Sequence, residues 1–569
     1  MGFSFVIALS VLTKAMKKRF CILINLFVIP FLFPFSSQAQ TDSVIVTGRI
    51  RNLSARMYRE ASTVLISRNN VLQANRELVR PAPLSVDGTF RVTMPLIYPQ
   101  EEMYFNYGRI STAFLAAPGT LTLDLNADSL FSMAVPFRFG GVNAQVNQQF
   151  ARYKAFEATY PDKPDGKKLS EMVENRNNVD AFRSLSTAYQ APFRQFATKE
   201  KPFPLTARWI AGNNTYNAAA FLYDKATYEN EKLPTSLDDS LRPPNNILLT
   251  AARASAMNRF AAYATQRLTT DASTRTNGIT VRALALLLER YGKNLTADER
   301  TRLRDYAQQN SARAADLRFF DGLVKRSPDT LQRLVNYETL IQRSIRQYDS
   351  TAVDYLAAYW LTTTLPGLTL NFARLLYDYA RPQIRDSKLA ASLDELYGLE
   401  VKDSTRIRSA MQTLRKAGTR TAALEISPGV FVTRNDFGSG SGLLDQVIDA
   451  NRGKVIYLLL TSPSNEAGRQ AALDAQRVRN TYSPRDFALI YVPMSDNDKN
   501  LWPEFATRRN LSGDHLLLTD DQLMDAISRF RANDEISAMV INRKGKIVKR
   551  SAPLPGALEE ATKIIDKNL

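Results

Sequence analysis

Along residues 41–140 apolar and polar positions alternate over short runs separated by turn residues. Residues 43–48, 63–66, 89–94 and 121–125 are β-branched or alternating, and Asp87-Gly88 and Pro118-Gly119 are turn signals between them. A period of two buries one face of each run, and this spacing predicts an antiparallel β-sandwich. From 141 to 425 the period becomes helical. Residues 281–291 are a nearly continuous helix former, Thr296 with Glu299 is a capping box, and 354–361 and 372–379 carry apolar, aromatic-rich faces. These stripes read as core packing, and without a repeat of fixed period the segment predicts an irregular all-α domain. From 426 to 569 strands predicted at 430–433, 455–460, 487–492, 538–542 and 546–549 alternate with helices at 443–450, 469–480, 522–530 and 557–567. That order predicts an α/β sheet covered by helices on both faces. At 569 residues, the chain is expected to divide into several such domains.

The beginning of the chain is different. Met16-Lys17-Lys18-Arg19 precedes an apolar run over 20–35 and then the small and polar residues Ser36, Ser37, Gln38 and Ala39. Charge, apolar core and small residues in this order predict a cleaved secretory leader over 1–39, with Met16 a second candidate start. Pro30 and Pro34 within the run weigh against a membrane anchor. No later run is comparable, so no stable membrane span is expected once the leader is gone. Removing it takes away four basic residues and lowers the formal charge from +18 to +14. Such a charge attracts anionic surfaces or polymers, but export and the lack of a localised basic block argue against nucleic acid. Cys21, the sole cysteine, lies inside the leader.

Gly453-Lys454 ahead of the apolar run 455–458, Leu501-Trp502, the hairpin 540–548 around Gly545, and a tail with Ser551, Pro553 and Pro555 resemble the TlpA-like thioredoxin-fold proteins of Bacteroidetes-type envelopes. The front is similar to their N-terminal β-domain in Asp87-Gly88-Thr89-Phe90, Pro95-Leu96, Ala117-Pro118-Gly119 and Leu123-Asp124. The resemblance covers 430–569 well and 43–140 less specifically. It implies a thioredoxin-like C-terminal domain over 426–569 in a periplasmic or envelope protein. It further implies a Trp-Cys-x-x-Cys motif whose cysteines align with Asn465 and Gly468, with Arg469 at a commonly basic position. Here the loop reads Ser464-Asn465-Glu466-Ala467-Gly468. The chemistry needs a thiolate at a helix N-terminus, where free N–H groups and the helix dipole lower the thiol pKa. Asparagine carries no sulfur but is a good N-cap. The family's cis-proline position aligns with Ile536, and no proline occurs between Pro503 and Pro553.

Other chemistry is set aside. His515 is the lone histidine; beside Asp514 and an apolar run it reads as a strand or helix edge in a structural or solvent-exposed role, and a His-based metal site or triad lacks its partners. The glycines at 438, 440 and 442 are followed by Leu443 and by no Gly-Lys-Ser/Thr, so they read as a flexible loop. Asp520-Asp521 and Asp496 with Asp498 read as solvated surface loops, and a calcium site there is disfavoured. The expectation is therefore a non-enzymatic envelope protein, without cofactor or metal, in which a redox-inactive thioredoxin-like fold binds or scaffolds an envelope protein or polymer. The alternative is a thiol-disulfide oxidoreductase by family ancestry.

Overall fold

The computed structural model describes residues 42–569 apart from 55–56, 59–61, 108–109, 130–131, 162, 164, 244–246, 271–277, 310–313, 328, 369, 417–421, 435–441 and 533–534. The leader read at 1–39, with Met16 and Cys21, lies outside the described residues, and so does the glycine loop up to Gly442. Eight strands open the described chain: β1 (Ser43–Arg51), β2 (Thr63–Asn70), β3 (Gln73–Pro83), β4 (Thr89–Pro95), β5 (Gln100–Tyr107), β6 (Ile110–Ala116), β7 (Gly119–Asn126) and β8 (Phe137–Gly141). They form two sheets, in the orders β4-β1-β7-β8 and β3-β2-β5-β6. Val44, Val46, Phe90, Leu121 and Leu123 of the first share one core with Val64, Ile66, Phe105 and Phe114 of the second. The expectation of an all-antiparallel sandwich fails at one pair, because β1 and β7 run parallel. The chain reaches β7 only after passing through the other sheet, so no tight hairpin sets its direction. Gly88 sits in the left-handed region at φ 80°, where a Cβ would lie 2.2 Å from the Ile50 carbonyl oxygen.

The central region is helical. Among its helices are α1 (Ala144–Ala158), α2 (Pro204–Tyr228), α3 (Ala251–Thr270), α4 (Ser350–Thr364) and the 30-residue α5 (Ser387–Lys416). Tyr223, Phe260, Leu356 and Leu361 lie in the core shared by α2 to α5, while Phe150 and Tyr153 of α1 pack in a separate cluster with Trp209 of α2. The region also lends a two-residue strand, β9 (Leu248–Leu249), which pairs in parallel with β5. Strand β5 anchors the helices through two buried glutamates. Glu102 accepts the indole N–H of Trp209 at 2.6 Å, and Trp209 stacks on Phe150 of α1. Glu101 accepts the backbone N–H groups of Ile97 and Tyr98 and lies 3.5 Å from the guanidinium of Arg68, itself 1% exposed. Arg68 also pairs with Glu395 on α5. Burial pushes the Glu101 carboxyl up, and the Arg68 charge opposes that shift.

A seven-stranded sheet closes the chain: β10 (Ala422–Ser427), β11 (Val430–Arg434), β12 (Val455–Thr461), β13 (Phe487–Pro493), β14 (Gly513–Leu517), β15 (Ser537–Ile541) and β16 (Ile547–Lys549), in the order β10-β11-β14-β13-β12-β15-β16. It begins four residues before the boundary expected at 426. The middle strands β11, β14, β13 and β12 are parallel, while β12 with β15 and β15 with β16 are antiparallel. The period of two is visible in β12. Val455, Tyr457 and Leu459 face one core with α7 (Glu466–Thr481), α8 (Asp496–Arg508) and α10 (Leu558–Asp566). Ile456, Leu458 and Leu460 face the other with α6 (Gly442–Ala450) and α9 (Asp520–Phe530). Helix α8 replaces the surface loop expected at 496–498. Ser495 caps it by accepting the Asp498 N–H, and Pro503 inside it masks the helical pattern. Asp520 and Asp521 likewise fall in a helix, at the first turn of α9. Arg508 at the end of α8 pairs with Glu504 and with Glu400 of α5, and donates to the Pro366 carbonyl at 2.5 Å. Among the described residues no helix is long and apolar enough to cross a membrane.

Removing one partner of a buried pair leaves an uncompensated charge. Arg68→Ala is expected to destabilise the protein by about 3–5 kcal/mol. Urea unfolding followed by circular dichroism measures this, and Arg68→Met combined with Glu101→Gln is expected to recover most of the loss.

Candidate functional site

Strand β12 ends at Thr461, and α7 begins at Glu466 after a turn of four residues. The turn between them holds the positions aligned with the redox motif. Asn465 is the N-cap of α7, its backbone extended and its side-chain oxygen accepting the Gly468 N–H at 2.6 Å. Its side-chain nitrogen donates to Glu535 at 3.3 Å, so the loop before β15 comes to the start of α7. Ile536, aligned with the family's cis-proline, follows Glu535 and packs on the core beneath α7. Glu466 and Ala467 are exposed. Arg469 folds back over the turn, donating to the Pro463 carbonyl at 2.9 Å and pairing with Glu466.

Gly468 fixes what this site can hold. A Cβ at this position would lie 2.1 Å from the Ser462 carbonyl oxygen and 2.9 Å from both the Ser462 nitrogen and the Asn465 side-chain oxygen. Two of these three atoms are backbone and cannot swing aside. The Thr461 hydroxyl further ties the turn by donating to the Gly468 carbonyl at 2.8 Å. The first turn of α7 is thus pressed onto the end of β12 at a distance that only glycine allows.

A polar web that sequence reasoning missed underlies the turn. Asp498, 2% exposed at the start of α8, accepts the hydroxyls of Ser462 at 2.8 Å and Ser464 at 2.6 Å, and the Ser462 oxygen accepts the Ser464 N–H. The web joins the first turns of α7 and α8. Its signal was present, since Ser495 followed three residues later by Asp498 is a capping pattern. Both serine hydroxyls point to the carboxylate, and no imidazole takes part. The side chain of Asp496 lies outside the described residues, and among those described no three His, Cys, Asp or Glu side chains come together as a metal site. Open grooves lie elsewhere: one of about 470 Å³ beside Tyr160, Lys168 and Arg176, another of about 630 Å³ between α5 and Leu424.

His515 lies in β14, completely buried, which corrects the solvent-exposed part of its expected role. The Leu516–Leu518 apolar run carries the strand into the core, and the imidazole follows it. Its Nδ1 accepts the Trp502 indole N–H at 2.8 Å, its Nε2 donates to the Leu511 carbonyl at 2.8 Å, and its ring stacks on Tyr491. Burial pushes its pKa down to about 4. Both nitrogens are occupied, so it serves packing.

No protein-family model matches the chain, and no curated protein matches it. Two solved structures from Bacteroides vulgatus, each assigned as a thiol-disulfide oxidoreductase, are similar to part of it. A solution structure is 21% identical over 21% of this chain and 76% of that one, with a TM-score of 0.19. A crystal structure is 22% identical over 21% of this chain and 82% of that one, with a TM-score of 0.18.

Asn465→Ala is expected to cost about 0.5–2 kcal/mol, as for loss of an N-cap, and Gly468→Ala about 1–3 kcal/mol through overpacking; denaturant titration of each variant reads the difference. For His515 the unfolded state binds a proton below about pH 6.5 and the native state only near pH 4. The stability from the neutral ring is therefore complete above pH 6.5 and is lost as pH falls toward 4, about 3 kcal/mol in all. A pH series of unfolding curves is expected to lose this component in His515→Gln.

Proposed function

We propose that this is an exported, redox-inactive protein of the TlpA-like thioredoxin type, serving in the cell envelope as a non-catalytic binding or scaffolding module. The thioredoxin reading is supported by topology. A β12-α7-β13 parallel unit is followed by the β15-β16 antiparallel hairpin and α10, in the order β13-β12-β15-β16, with the helix start at the carboxyl end of β12. The observation that carries the redox-inactive reading is the Gly468 contact. The second sulfur of a dithiol would need a Cβ where the Ser462 carbonyl already sits. The first position is an asparagine fastened to Gly468 and Glu535. With one cysteine in 569 residues, the chain cannot close an internal disulfide. The export reading rests on the order of residues 16–39.

A non-catalytic module keeps its binding surface but transfers no electrons. The purified protein is expected to reduce insulin disulfides, with dithiothreitol as electron donor, no faster than the reductant alone. Turnover above that blank would restore the oxidoreductase reading.

A further inference from the structure

Between residues 426 and 569 the charges nearly balance, with nineteen basic and eighteen acidic side chains, yet they are not evenly spread. Five of the basic residues, Arg543, Lys544, Lys546, Lys549 and Arg550, fall within eight positions on the hairpin of β15 and β16. No acidic residue occurs between Glu535 and Glu559. All five are exposed. Asp486 holds Arg543 at 2.9 Å, while the other four side chains meet no ion-pair or hydrogen-bond partner among the described residues.

Strand β16 is the outer edge of the seven-stranded sheet. Ile547 packs on the core, whereas Lys546 and Val548, its neighbours on either side, project to the opposite face, Val548 42% exposed. Lysines on an edge strand are a common device against strand pairing, as are a short strand and a register shift. All three occur here, since β16 has three residues and its register shifts against β15. An extended peptide joining this edge is therefore disfavoured. Blocking an edge requires charge, but it does not require four cations of one sign left without counter-ions. A surface of fixed negative charge supplies those counter-ions without backbone pairing and accommodates an apolar side chain among them.

We propose that this hairpin is a docking surface for an anionic lipid bilayer, with Lys544, Lys546, Lys549 and Arg550 meeting headgroup phosphates and Val548 entering the headgroup layer between them. The proposal is independent of the redox question, because the hairpin lies outside residues 462–469. The test is flotation of the full chain with vesicles of equimolar phosphatidylglycerol and phosphatidylcholine at low salt. The chain is expected to float with them, but not with phosphatidylcholine alone or at high salt. Replacing Lys544, Lys546, Lys549 and Arg550 together with Gln is expected to weaken binding at least about tenfold with an unchanged melting curve. Removing the same charge from the helical region, with Lys168→Gln, Arg282→Gln, Lys293→Gln and Arg300→Gln, is expected to leave most of the binding. Equal losses in the two variants would assign the attraction to bulk charge and overturn the proposal. So would unchanged binding by the hairpin variant, or capture of the chain by polyglutamate as tight as by the vesicles.

Discussion

Two arginines from opposite ends of the chain converge on one helix, and the arrangement of the three regions depends on them. Arg68 of the β-sandwich reaches Glu395 of α5, and Arg508 of the C-terminal sheet region reaches Glu400, one turn and a half further along the same helix. Arg68 and Glu400 are almost wholly withdrawn from water, so each charge is tolerable only while its partner stays in place. Such pairs add little net stability compared with apolar substitutes, but losing either partner leaves a buried charge uncompensated. Helix α5 is therefore the element through which the sandwich and the C-terminal sheet region are both tied by ion pairs.

The proposed non-catalytic reading has a physical counterpart at the start of α7. An oxidoreductase must let its helix start meet a second protein and exchange sulfur bonds with it. Here the start of α7 is tied to β12 through Thr461, to α8 through Asp498, and to the loop before β15 through Asn465. The asparagine supplies the acceptor that a free helix N-terminus needs. The electrostatic feature that would activate a thiolate is spent instead on an internal hydrogen bond.

Much of this was legible in the residues, and the failures have physical causes. The β12 strand and the α7 start could be read because a short continuous apolar run and an asparagine before a helix are local signals. Strand β5 escaped because Glu101 and Glu102 interrupt its apolar pattern, and their partners, Arg68 and Trp209, are distant in sequence. Helix α8 escaped because Pro503 and acidic residues resemble a loop, although Ser495 with Asp498 marks its cap. His515 could be placed near a strand, but its burial depends on Trp502 and Leu511 closing over it. The Gly468 contact was invisible for the same reason: a glycine in a helix's first turn looks ordinary until the Ser462 carbonyl is seen against it.

On the proposed redox-inactive reading, a Cβ at position 468 meets the Ser462 backbone at the start of α7, so that adding two cysteines to this turn does not by itself make a working redox site. The direct measurement is a count of reactive thiols in the double variant Asn465→Cys with Gly468→Cys, after exposure to oxidised glutathione and alongside its melting curve. Two thiols that stay open or carry glutathione, in a protein melting well below the parent, are the predicted result. A closed disulfide between positions 465 and 468, in a protein as stable as the parent, would contradict it.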